Sequence, residues 1–190
     1  MKIAITGGIG AGKSTLVEAL RRTFPTALFV SMDAFVDALY QDPEWLDWLD
    51  TKFGTRDRKT ISQRAFADPA ILAQLNAQSA LKIGVSLGRL LERPALTFLE
   101  FPLLLESGLA GEFDRTVLIT AQRDVRIQRV VARGRKTAEQ AAAVLDAQMP
   151  EDRKRTLVDA VIDTSLPDSQ DACARALVDT IERFLTGSTP

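Results

Sequence analysis

Lys13 and Ser14 close a run that reads GGIGAGKS over residues 7–14, the pattern G-x-x-x-x-G-K-[ST] without departure. That spacing suits one kind of chemistry. Glycines let successive backbone N–H groups turn inward around a phosphate. The lysine then reaches the outer phosphates of a nucleoside triphosphate, and the serine hydroxyl faces its Mg²⁺. Gly8, Gly10, Ala11, Gly12, Lys13, Ser14 and Thr15 are therefore the candidate nucleotide-binding residues. A glycine-rich turn that binds nothing is the alternative, and a strand before it with a helix after it argues against that.

Acids and arginines further along would complete a phosphoryl transfer. Asp33 follows the apolar run "ALFVS". It is the candidate catalytic base, accepting or orienting an acceptor hydroxyl; capping a helix over 34–40 is its other reading. Glu100 ends the run "ALTFLE" and is the candidate to hold a Mg²⁺-bound water, the second metal candidate after Ser14. A plain surface ion pair is the competing role. Arg126, Arg129 and Arg133 fall at i, i+3 and i+7 and share one helix face, with Arg135 and Lys136 in the turn after it. A cationic face that closes over phosphates would neutralise the charge of transfer. A solvated helix face is the plainer reading. Arg56, Arg58 and Lys59 form another cationic cluster, which suits an acidic acceptor and simple exposure equally well.

These residues need a frame that brings strand ends together. "KIAIT" (2–6), "ALFVS" (27–31), "ALTFLEF" (95–101), "RTVLIT" (115–120) and "AVIDT" (160–164) read as short buried strands. Helical patterns separate them, so the fold class is α/β, with a five-stranded parallel sheet and helices on both faces. Residues 34–92 read as a helical insertion: one helix closed by Gly54, a polar loop, then a long helix broken near Asp68-Pro69 and loosened at Gly84 and Gly88. "TAEQAAAVLDAQMP" opens with a capping-box spelling at Thr137 and Gln140 and runs to Pro150.

Composition narrows the classes. The chain has 190 residues, 46% of them hydrophobic, with a formal net charge of −1. One domain is expected, with no footprint for bulk nucleic-acid binding. No histidine is present, which removes a histidine base, a Ser-His-Asp triad and His-ligated metal. The lone Cys173 has no disulfide partner within the chain and fits a reducing cytoplasm. The apolar run at the N-terminus is too short for a signal peptide, and no stretch reaches the length of a membrane span.

Taken together, the motifs resemble the dephospho-CoA kinase family over nearly the whole chain. "ITGGIGAGKST", "FGTRD" followed by "RAFADP", "FPLLLESGL", the arginines 129 and 133 followed by "AQMP", and "VDAVIDTS" are similar to that family's segments in the same order. The resemblance implies a three-layer P-loop kinase fold in a single domain over 1–190. Residues 1–33, 93–121 and 151–190 would form the nucleotide core, 34–92 an acceptor-binding insertion and 122–150 a lid. It implies ATP and Mg²⁺ as cofactors and transfer to the ribose 3′-hydroxyl of dephospho-CoA. Asp33 matches the second acid of the family's D-A-D, and Arg129 and Arg133 match lid arginines. The chain departs from the pattern at Ser31, where the first acid of D-A-D is expected, and at Asn76-Ala77, where His-Pro is expected. Glu100 is longer by one methylene than the usual acid, Val144 stands for a lid arginine and Thr164 for an asparagine. These departures fall largely on the acceptor side. Two other functions therefore stay open: a nucleoside, nucleotide or modified-base kinase on the same scaffold, and a non-catalytic nucleotide-binding regulator.

Overall fold

The computed structural model describes residues 1–187 apart from Pro94, Arg135, Pro167 and Asp168. Arg135, one of the cations read from the sequence, thus lies outside the described residues. Along the chain run β1 (Lys2–Thr6), α1 (Lys13–Thr23), β2 (Leu28–Ser31), α2 (Met32–Leu39), α3 (Pro43–Phe53), α4 (Arg58–Ala67) and α5 (Pro69–Leu91). Then follow β3 (Thr97–Glu100), α6 (Leu104–Ser107), β4 (Arg115–Thr120), α7 (Arg123–Ala132), α8 (Ala138–Asp146), α9 (Glu151–Arg155), β5 (Ala160–Asp163) and α10 (Gln170–Thr186). The chain divides into two compact units, Met1–Val30 with Pro94–Pro190, and Ser31–Arg93.

In the first unit the strands stand in the order β2-β3-β1-β4-β5. β1 pairs in parallel with β3 and β4, and β4 pairs in parallel with β5. The "KIAIT" run becomes the central strand, as a sequence apolar on both faces requires. Alternation sorts its side chains. Ile3 and Ile5 join Phe98, Val117, Ile119 and Ile162 in a core closed by Leu16, Val17 and Leu20 of α1 and by Leu177 and Ile181 of α10. Ala4, Leu99 and Leu118 point the other way and are also fully buried, with α6 against β1 and α9 against β4. Helices thus cover both faces, as the sequence pattern requires.

In the second unit Trp45, Leu49, Ile61 and Leu39 form a separate small core, with Leu75 and Ile83 packed on it. Asp42 caps α3 and Pro43 opens it, and the helix stops at Gly54 as expected. Asp57 caps α4, and Asp68 ends α4 and caps α5 through the Ala70 N–H at 2.8 Å, which is why the long helical pattern breaks there. Gly84 and Gly88 do not loosen α5, which continues to Leu91. A glycine costs a helix only about 1 kcal/mol against alanine, and the flanking Ile83 and Leu87 are packed.

Two boundaries differ from the sequence reading. α2 begins at Met32, with the Ser31 hydroxyl accepting from the Ala34 N–H at 3.2 Å. Asp33 is therefore neither the last residue of β2 nor a helix cap; it lies in the first turn of α2. α8 ends at Asp146 rather than running to Pro150. Its capping box, Thr137 with Gln140, forms as read. No described helix is long and apolar enough to cross a membrane.

Candidate active site

The loop between β1 and α1 leaves the carboxyl end of the central strand and opens a helix, so the helix N-terminus faces whatever the loop holds. Gly10 has φ 76°, and a Cβ there would sit 2.5 Å from the Arg126 carbonyl oxygen. A Cβ on Gly8 would collide with the Arg126 guanidinium and the Gln148 amide oxygen. These glycines are thus required by close packing against α7 and the segment after α8, as well as by any phosphate. Ala11 is fully buried, and its N–H reaches the Gly8 carbonyl at 3.3 Å, closing the turn.

Lys13 folds back on the loop. Its Nζ donates to the Gly7 carbonyl at 2.7 Å and the Gly8 carbonyl at 3.1 Å. Burial pulls its pKa down to about 8; Glu100 opposes that, and the positive Arg126, Lys154 and Arg133 reinforce it. Ser14 donates its hydroxyl to Glu100 Oε1 at 3.2 Å. The parallel register sets Glu100 beside Ile5, which brings this acid to the strand end from which the loop departs. A hydroxyl and a carboxylate paired there are hard oxygen donors of the kind Mg²⁺ takes in small number while phosphates supply the rest. Among the described residues no group of three or more Asp, Glu, Cys or His could hold a metal alone.

Arg126 and Arg129 of α7 and Arg133 just after it share a face but not a role. Arg126 is buried, so the expectation of a solvated or freely closing cation fails for it. Its Nε donates to the Ile9 carbonyl at 2.9 Å, Nη1 to Glu151 at 2.9 Å and Nη2 to the Gln148 amide oxygen at 3.3 Å. Arg129 donates Nη2 to the Thr164 carbonyl at 2.6 Å and Nη1 to the Thr164 hydroxyl at 2.8 Å, with the Gly10 carbonyl at 3.5 Å. Arg133 is exposed at the end of α7.

Thr164, noted in the sequence only as a departure, is a junction. Its buried hydroxyl lies 2.9 Å from the Ala11 carbonyl and 3.1 Å from the Thr120 carbonyl while accepting from Arg129, so it ties the loop, β4, β5 and α7 together. A cavity of about 290 Å³ opens beside it, between Gly12, Thr15 and Leu16 on one side and Arg129, Arg133 and Leu166 on another. Sequence reading missed this cavity because its walls come from three segments far apart in the chain. It also missed Glu106, whose Oε1 accepts the Met149 N–H at 3.1 Å and lies 2.9 Å from Lys154 Nζ. The "PLLLES" and "AQMP" segments that carried the resemblance are those that meet there.

Asp33 and the other acceptor candidates belong to the second unit. Asp33 is exposed. Arg56 is paired with Asp47 at 2.9 Å and Asp50 at 3.4 Å, and Arg58 with Asp37 at 2.7 Å over the Tyr40 ring. Lys59 is exposed, and so are Asn76 and Ala77 on α5. Within this unit α2 and α5 border a groove with Phe35, Leu81 and Val85 on its walls and the Lys82 ammonium 2.8 Å from Asp42 and 2.7 Å from Glu44.

A sheet of this order, with the intact phosphate loop after its central strand and Ser14 against the acid that closes the neighbouring strand, defines a P-loop kinase. The family model described as dephospho-CoA kinase matches residues 1–168. The dephospho-CoA kinase of Deinococcus radiodurans is 33% identical over 178 residues, covering 87% of this chain and 84% of its own. A solved structure from Thermus thermophilus matches with a TM-score of 0.80 at 32% identity, over 96% of this chain and 97% of that one. The shikimate kinase of Bacteroides thetaiotaomicron shares the fold, with a TM-score of 0.61 at 16% identity over 96% and 98% of the two chains. The chain belongs to the dephospho-CoA kinase family, which phosphorylates dephospho-CoA to CoA at the expense of ATP.

Proposed function

We propose that this protein transfers the γ-phosphoryl group of ATP to the ribose 3′-hydroxyl of dephospho-CoA. Family membership supports the acceptor. The observation that carries the chemistry is the loop itself, where Lys13 and the Ser14–Glu100 pair converge on one strand edge.

In this reading Lys13 exchanges the Gly7 and Gly8 carbonyls for β- and γ-phosphate oxygens. Ser14 and Glu100 are the residues that would hold Mg²⁺, whose contribution when bound is to screen the charge between those phosphates. The cavity beside Thr164, walled by Leu16, Leu166, Arg129 and Arg133, would receive the adenine base. Asp33 orients the acceptor hydroxyl or takes its proton. Residues 34–92 receive the acceptor and 122–150 act as the lid over the nucleotide core. A cytoplasmic location belongs to the same reading, supported by the lone Cys173.

The test is a labelled-ATP assay across dephospho-CoA, nucleosides, nucleoside monophosphates and DNA. Transfer to dephospho-CoA, lost in Lys13→Ala, is the expected result. Asp33→Asn is expected to lower kcat by about 10²-fold or more with little change in ATP affinity, the usual scale for a lost acid–base group. Full activity in Asp33→Asn removes that residue's role, and transfer only to another acceptor removes dephospho-CoA.

A further inference from the structure

We propose that Arg126 is a positioning residue, which aims the phosphate-binding face of the loop without touching the nucleotide and ties it to the segment after α8. The argument starts from one peptide unit. In a trans peptide the carbonyl and the following N–H point in opposite directions. Arg126 Nε holds the Ile9 carbonyl from the α7 side at 2.9 Å. The Gly10 N–H, on the same peptide, is thereby directed away from α7 and toward the space the loop encloses. The guanidinium is itself fixed. Glu151 at 2.9 Å and the Gln148 amide oxygen at 3.3 Å hold its two outer nitrogens, and only 6% of the residue is exposed. Gly8 packs directly against this group and Gly10 against the Arg126 backbone, so the loop has no space to shift toward α7.

Burying a guanidinium is costly unless it is paired and hydrogen-bonded, and here all three nitrogens have partners. Glu151 pairs the guanidinium at 2.9 Å, and the hydrogen bond to the Ile9 carbonyl sets the loop's geometry. Lysine cannot replace Arg126, because an ammonium lacks the planar fork that serves three acceptors at once.

The proposal rests on the reading of the loop as an ATP cradle, and the test separates the two. Binding of ADP and of AMP, which lacks the β-phosphate, is measured by calorimetry for wild type, Arg126→Gln, Arg126→Lys and Glu151→Gln, with kcat and KM for ATP alongside. In Arg126→Gln, ADP binding is expected to weaken roughly tenfold, the scale of a lost charged hydrogen bond, with AMP within about twofold. KM for ATP rises by the same factor while kcat at saturating ATP falls less. Arg126→Lys recovers only part of the loss. A folded Arg126→Gln that binds ADP as wild type does, or that loses AMP as much as ADP, overturns the proposal. If Arg126→Gln does not fold, Glu151→Gln decides: ADP is expected to weaken about threefold with AMP unchanged, and no change refutes the role. Failure of the wild type to bind ADP overturns the cradle reading, and the proposal with it.

Discussion

Lys13 is buried with its ammonium against the Gly7 and Gly8 carbonyls, and that burial, opposed by Glu100 and reinforced by Arg126, Lys154 and Arg133, lowers its pKa to about 8. The sign of the pH dependence follows. The free amine forms as pH rises through about 8, whereas an exposed lysine stays charged to about 10.4. Phosphates stabilise the charged form, so nucleotide binding raises this pKa and takes up a proton. ADP affinity is therefore expected to hold below pH 8 and decline above it. Calorimetry at pH 7 and 9, in two buffers of different ionisation enthalpy, reads both the affinity and the proton uptake. An affinity that stays flat to pH 9.5 would sink this account. The ligand-free protein behaves in the opposite sense. Burial disfavours the charged lysine in the folded state, so that penalty is relieved as pH climbs from about 8 toward the unfolded value.

Short elements, more than long ones, assemble the site. The segment 147–150 breaks away from the helical pattern of α8 because its polar groups have better partners: the Met149 N–H goes to Glu106 on α6, and Gln148 goes to Arg126. Lys154 on α9 closes the same junction, with 1% of its surface exposed. Burial acts to raise the Glu106 carboxyl, but Lys154 and the backbone N–H groups of Glu106 and Met149 hold it below the ordinary carboxylate value. Its contribution to stability is therefore present above the unfolded value of 4.5 and lost as pH falls through the lower folded one. Removing the acid alone strands a buried ammonium. Glu106→Leu is expected to cost about 3–5 kcal/mol in urea unfolding, and adding Lys154→Met should recover most of it. Equal losses in the single and double variants would show that the pair is not coupled. Ser31 makes the same point at the start of α2. Where the family pattern expects an acid, the hydroxyl serves as the N-cap, a role aspartate fills equally well.

At the scale of the whole molecule, the chain divides into a sheet unit that carries the phosphate loop and a helical unit that carries Asp33. Hydrogen exchange tests that division. ADP is expected to slow exchange over residues 7–15 and 164–170, and dephospho-CoA over α2 and α5. Dephospho-CoA that protects nothing in residues 31–93 would remove the acceptor role from that unit. Much of this was legible in the chain. The strand runs, the capping box, the stop at Gly54 and the break at Asp68 all came from local patterns, because periodicity and caps are set by neighbours a few residues apart. The loop was legible for the same reason: its eight residues are consecutive. Arg126, Thr164, Glu106 and the cavity beside Thr164 were not. Arg126 spelled a charge on a helix face, and only the approach of Ile9 and Glu151 from distant parts of the chain made it a buried brace. The sequence by itself determined the consecutive loop that carries Lys13 and Ser14 and its place between a strand and a helix. Tertiary structure alone decided that Arg126 lies buried beneath the loop while Arg129 and Arg133 line the cavity beside Thr164. A helix pattern fixes the face its arginines share, while their partners are fixed by segments that meet only on folding.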